Sequence, residues 1–186
     1  MSGIIRAYKR DDDGVLHFRE AWYDEEDQQF VVNHGAVGHQ SKTDEADVDD
    51  ESAVDGLTTA FAAQCEEDGY AEIPESEQFW VVAQIALKSK DGTERDRHLE
   101  RKAKAALTGE LAWRGLGIVD RSEIGNGHLN IFCLCPDVNK AVNAIKICVR
   151  GEDLDFTKLT VAAAPYSDPT AFRVKHSPKQ GVGFTL

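Results

Sequence analysis

The chain has 186 residues, 41% of them hydrophobic and 29% charged, with a formal net charge of −12 at pH 7. That balance belongs to a globular protein, long enough for one large domain or two small ones, since domains most often run about 100–150 residues. No stretch approaches the ~20 continuous apolar residues of a membrane-spanning helix, and Met1-Ser2-Gly3-Ile4-Ile5-Arg6 lacks the build of a signal peptide, so the sequence reads as cytoplasmic.

Charge divides the chain. Residues 1–78 carry 21 acids and 5 bases, whereas residues 79–186 carry 12 acids and 16 bases. The change falls at Pro74-Glu75-Ser76-Glu77, which reads as a linker. Mutual attraction of the two halves, or an acid-biased proteome, accounts for the same asymmetry. The expected organisation is an acidic domain over 1–73, a linker over 74–78, a second domain over 79–164 and a tail over 165–186.

In the first domain, Ile4, Ile5 and Ala7 form a short apolar run from Gly3 to Lys9, and Asp11-Asp12-Asp13-Gly14 has turn chemistry. From Val15 to Tyr23 the pattern alternates, with Leu16, Phe18 and Trp22 on one face and His17, Arg19 and Tyr23 on the other. That period of two predicts a half-buried strand. Asp24-Glu25-Glu26-Asp27 turns the chain, and Phe30-Val31-Val32 is the next strand. Gly35 and Gly38 mark a tight backbone passage. The acidic stretch from Asp44 to Asp50 reads as a solvated loop. From Glu51 the period becomes helical, with Val54, Leu57, Phe61 and Cys65 on one face and Gly69 at the C-cap.

This order is similar to one known family. Leu16-His17-Phe18-Arg19-Glu20-Ala21-Trp22, then Phe30-Val31-Val32, then His34-Gly35-Ala36-Val37-Gly38, resembles the WGR domain, as does the helix closing in Gly69-Tyr70. The resemblance covers roughly the first 73 residues. It implies a small sheet carrying one helix, and a link with nucleic-acid binding of the kind known from poly(ADP-ribose) polymerases. The naming Trp-Gly-Arg aligns with His34-Gly35-Ala36, so only the glycine is kept. Loss of the arginine removes a forked phosphate donor, and the acidic charge of this domain opposes a phosphate backbone.

In the second domain, Phe79 to Leu87 is an apolar run of strand length, and Asp91-Gly92-Thr93 is a turn with Thr93 placed to cap a helix. Leu99, Ala103, Ala106, Leu107 and Leu111 give that helix its apolar face, and Gly115 and Gly117 stop it. Ile118-Val119-Asp120 starts a strand, Gly125-Asn126-Gly127 is a hairpin signal, and His128 to Cys135 pairs back. Pro136-Asp137 opens a second helix with Val138, Ala141, Val142, Ile145 and Cys148 at helical spacing; Phe156 to Ala164 is the last long strand. The order strand, helix, strand, strand, helix, strand predicts a ferredoxin-like βαββαβ unit. The expected class is therefore α+β, a WGR-like antiparallel sheet with one helix followed by that unit. The tail is expected to run along a surface, with Ala171-Phe172-Arg173-Val174 as an edge strand.

Candidate functional residues form two groups. His34, Gly35, Gly38 and His39 make the glycine loop, where the histidines flank a close backbone passage. Arg97, Arg101 and Lys104 fall at i, i+4 and i+7 on a helix, as an anion-binding or partner-docking stripe, unless Glu94, Asp96 and Glu100 neutralise them. Gly115-Leu116-Gly117 follows a helix rather than opening one, which excludes a dinucleotide fingerprint. There is no P-loop, H-E-x-x-H or G-x-S-x-G motif. Cys65, Cys133, Cys135 and Cys148 form no C-x-x-C pair, so the thiols read as buried and reduced rather than metal ligands.

The sequence thus predicts a binding, adaptor or regulatory protein without catalytic residues, metal or cofactor, acting through protein–protein contacts and not at a membrane. Two alternatives remain: nucleic-acid binding through the WGR-like fold and the basic helix, or an acidic inhibitor or immunity-type protein covering a basic partner.

Overall fold

The computed structural model describes residues 4–179 and 183–186. Gly3, at the start of the expected first apolar run, and positions 180–182 of the expected tail lie outside them. The protein is α+β, with a four-stranded and a five-stranded antiparallel sheet. It divides into two compact units, one of Met1–Ile73 with Trp113–Gly115 and one of Pro74–Ala112 with Leu116–Leu186.

In the first unit, strands β1 (Ile5–Arg10), β2 (Leu16–Asp24), β3 (Gln29–Ala36) and β4 (Lys42–Asp47) form a meander in the order β1-β2-β3-β4. The acidic stretch expected as a loop is thus partly a strand. Sheet pairing needs only backbone donors and acceptors, so an edge strand tolerates side chains whose polarity hides it in the sequence. Helix α1 (Val54–Glu67) follows a single turn capped by the Asp50 side chain, and Gly69 takes the left-handed φ of +78° beyond its end.

The α1 face also departs from expectation. Leu57 is exposed, and the residues turned inward are Val54, Phe61 and Cys65. Val54 and Phe61 pack with Ala21, Phe30 and Val48, flanked by Tyr23 and Val32. That is the β2 face opposite Leu16, Phe18 and Trp22, so both faces are used. On the second face Phe18 and Val37 are fully buried, and Phe18 lies where a Cβ on Gly115 would stand. Glu20, only 2% exposed, is held there by Arg6, its cross-strand partner, at 2.6 Å. A buried carboxylate is tolerable only with such a partner.

In the second unit, β5 (Phe79–Ala86), α2 (Glu94–Trp113), β6 (Ile118–Gly125), β7 (His128–Cys135), α3 (Val138–Gly151), β8 (Leu159–Pro165) and β9 (Arg173–His176) follow in sequence. The sheet order β6-β7-β5-β8-β9 is the split βαβ arrangement with one strand added at the edge. Thr93 and Asp96 cap α2 reciprocally, and the Asp137 side chain caps α3. Asn126 and Gly127, both at positive φ, make the two-residue turn between β6 and β7.

The stretch expected as a linker contains a helical turn, Glu75–Glu77, tied by Tyr166 Oη donating to Glu75 at 2.6 Å. Two element boundaries differ from those expected. Phe156–Lys158 is a turn before β8, and the added edge strand sits two residues later than predicted. The core of this unit joins one face of the sheet to both helices: Val81, Ala83, Ile85, Leu129, Ile131, Cys133, Leu159 and Val161 are buried together with Ala103, Leu107 and Leu111 of α2 and Ala141, Ile145 and Cys148 of α3. Each large apolar side chain buried this fully contributes ~1.5–3 kcal/mol before entropy is charged against it. On the other face a polar row, Asn130, Gln84 and Thr160, crosses three strands. Gln84 Nε2 donates to Asn130 at 2.8 Å and to the Thr185 carbonyl at 2.9 Å, which fixes the end of the tail to the sheet.

Candidate functional site

The strand edges of the first unit differ. Beside β1 the backbones of Tyr8 and Ala71 exchange two hydrogen bonds of 2.8 and 2.9 Å, which occupies that edge at its middle. β4 is the open edge, and five of its six residues are exposed. Residues 42–55 hold seven acids and one base. Asp44 meets His34 Nε2 at 3.1 Å, Asp47 accepts from Gln29 at 3.0 Å, and Asp50 is spent on its helical turn. Glu45, Asp49, Glu51 and Asp55 have no cation partner among the described residues.

The glycine loop is engaged within its own unit. Gly38, at φ +86°, donates its N–H to the Arg114 carbonyl at 2.8 Å, and Arg114 Nη1 donates back to the Gly38 carbonyl at 3.4 Å. Ser41 N–H reaches the Trp113 carbonyl at 3.1 Å. The backbone of this loop therefore holds a segment of chain. His39 is exposed, with its N–H on the Ala36 carbonyl. Gly35 sits in β3 opposite Phe18.

In the second unit Arg97 and Arg101 are exposed and Lys104 is half-buried. At about 1.5 Å per residue the three span about 10 Å of α2. Of the three acids expected to neutralise them, Asp96 and Glu100 are hydrogen-bonded to other groups. Asp96 accepts from Ser89 Oγ at 2.6 Å, Thr93 N–H at 2.8 Å and Thr93 Oγ1 at 2.7 Å, and Glu100 accepts from Ser122 Oγ at 2.7 Å. The Ser89 hydroxyl, followed by the two Thr93 donors, holds the Asp96 carboxyl below the usual range. Among the described residues Arg97, Arg101 and Lys104 make no ion pair.

The chain has no match among protein-family models, curated proteins or solved structures.

All four cysteines are buried and free. Burial raises the Cys133 thiol to about 12 and the Cys148 thiol to about 11, far from thiolate reactivity. Among the described residues no group of three or more His, Cys, Asp or Glu side chains is placed to hold a metal. Trp80 stacks on Tyr166 at 5.7 Å with Arg121 over its ring at 5.3 Å, so its faces are occupied.

One feature escaped the sequence reading. A cavity of about 430 Å³ in the second unit is bounded by the end of β5, the first turns of α2 and the turn before β8. Ile85, Leu87, Leu99 and Leu154 supply apolar wall, while Lys88, Arg95, His98, Lys102 and Lys158 supply basic groups. The available signal was the split βαβ order, which sets the first and last strands side by side; here Ile85 pairs with Leu159.

Proposed function

We propose that this is a non-catalytic binding protein that takes an extended basic segment of a partner protein along β4. The supporting observation is the state of the strand edges. β1 is met at Tyr8 by Ala71, β6 carries a register shift between Val119 and Arg121, and β9 has only four residues. Short strands and bulges blunt an edge sterically, whereas β4 is regular over six residues and is guarded by charge alone. Negative charge repels acidic and neutral strands from such an edge while favouring a strand rich in lysine and arginine, so the guard doubles as a selector. The WGR resemblance fits this reading as a scaffold of sheet and helix, without the arginine that would face phosphate.

The test is the fluorescence anisotropy of a labelled peptide of alternating lysine and valine, titrated with the whole protein. Binding at low salt that is lost in Asp44→Lys/Glu45→Lys/Asp47→Lys supports the reading. Equal binding by the variant, or none by the parent, overturns it.

A second reading rests on the unneutralised stripe. Arg97, Arg101 and Lys104 would contact a nucleic-acid backbone, and their affinity would fall steeply with salt. Arg101→Glu should then weaken the binding of a nicked DNA duplex; no binding at low salt sinks this reading.

A further inference from the structure

The cavity beside the first turns of α2 carries a separate inference, independent of the β4 reading. We propose that it binds a small amphipathic anion, a carboxylate on an apolar body. Its volume of about 430 Å³ lies within the about 300–1,000 Å³ of small-molecule sites. The wall of Ile85, Leu87, Leu99 and Leu154 asks for an apolar body, since filling it with water leaves those surfaces wet.

The basic groups decide the sign of the head. Lys88 and Arg95 form no hydrogen bond or ion pair among the described residues. Lys102 Nζ donates to the Glu152 carbonyl at 2.5 Å, which is neutral and leaves the ammonium charge uncompensated. Three acids also line the cavity. Asp96 turns Oδ2 to Ser89 and Thr93, and the Asp155 oxygens are taken by Thr157 and by Lys158 at 3.1 Å. Asp153 is exposed, at a positive φ of 54° that belongs to the turn. Lys88, Arg95 and Lys102 thus remain as donors for a carboxylate, with Arg95 offering a forked pair of N–H groups. Arg97, Arg101 and Lys104 do not line this cavity, so the two sets of bases on α2 are separable by mutation.

The experiment is isothermal titration of the full chain with sodium octanoate, octan-1-ol and inorganic phosphate. The proposal expects octanoate to bind more tightly than either comparator. Arg95→Gln with Lys102→Gln should weaken octanoate at least about tenfold and leave octanol unchanged, as the loss of a charge-assisted hydrogen bond requires. Ala86→Trp, which fills the cavity from β5, should weaken octanoate and octanol together, with folding checked by circular dichroism. Absent octanoate binding, phosphate binding as tight as octanoate, or an unchanged affinity in the Arg95/Lys102 variant would each overturn the proposal.

Discussion

Gly117 is the position where one methyl group should do most damage. It lies at φ +103°, and a Cβ there would stand 1.9 Å from the Leu134 carbonyl oxygen and 3.1 Å from Cys135 Cα. Carbon and oxygen approach each other no closer than about 3.3 Å even in weak hydrogen bonds, so Gly117→Ala must displace backbone by about 1.4 Å. The obstacle is β7, an interior strand, at the register where Ile118 pairs with Leu134. Left-handed strain of ~1–2 kcal/mol and a forced shift of ~1–3 kcal/mol add to ~2–5 kcal/mol. With a urea slope of ~2 kcal/mol per molar, the midpoint should fall by about 1–2.5 M. Gly109 provides the contrast. It lies inside α2 with open space where a Cβ would go, so Gly109→Ala should raise stability by ~0.5–1 kcal/mol. Urea unfolding followed by tryptophan fluorescence measures both. Equal midpoints for the two variants would refute the reasoning.

Arg6→Met strands the buried Glu20 carboxylate and should cost ~3–5 kcal/mol, most of it recovered in Arg6→Met/Glu20→Met; additive losses in a denaturant cycle would contradict this. In thiol titration at pH 8, Cys65, Cys133, Cys135 and Cys148 should stay unreactive until urea exposes all four, whereas a rapid reaction in the folded state would deny their burial. Acid should act late. Asp68, held down chiefly by its Arg19 hydrogen bond, and Asp96 both have folded values below their usual 3.8. Their contribution is complete above that value and is lost as pH falls through the lower, folded one. The urea midpoint should therefore hold from pH 7 to about pH 5 and drop below about pH 4; a complete loss by pH 5 would refute the assignment.

Where one residue type dictates one local geometry, the sequence was legible. Asn126-Gly127 fixed a hairpin, Thr93 and Asp137 fixed helix starts, and the apolar period of α3 fixed the face it buries. The split βαβ order followed from those elements. β4 was illegible because an edge strand is held by backbone pairing, and its Asp44 and Glu45 carry the polarity of a loop. The α1 face was misjudged because the helix turns only Val54 and Cys65 fully inward, so Leu57 has the right period and no partner. Of the candidate site residues, Arg97 and Arg101 stand exposed on α2, but the commitments of Asp96 and Glu100 depend on Ser89, Thr93 and Ser122, the last of them 22 residues away in sequence. The occupation of Gly38 by Arg114 is a contact across 76 residues that no local pattern encodes.

β4 acts as a receiving edge only if a strand can add to it. Hydrogen exchange of the protein alone and with the lysine–valine peptide tests it directly, because a strand added there must protect backbone amides of Lys42–Asp47. Protection confined to β4 and its flanks, and absent in Asp44→Lys/Glu45→Lys/Asp47→Lys, is the expected result. Peptide binding that leaves the β4 amides exchanging as before would contradict the account.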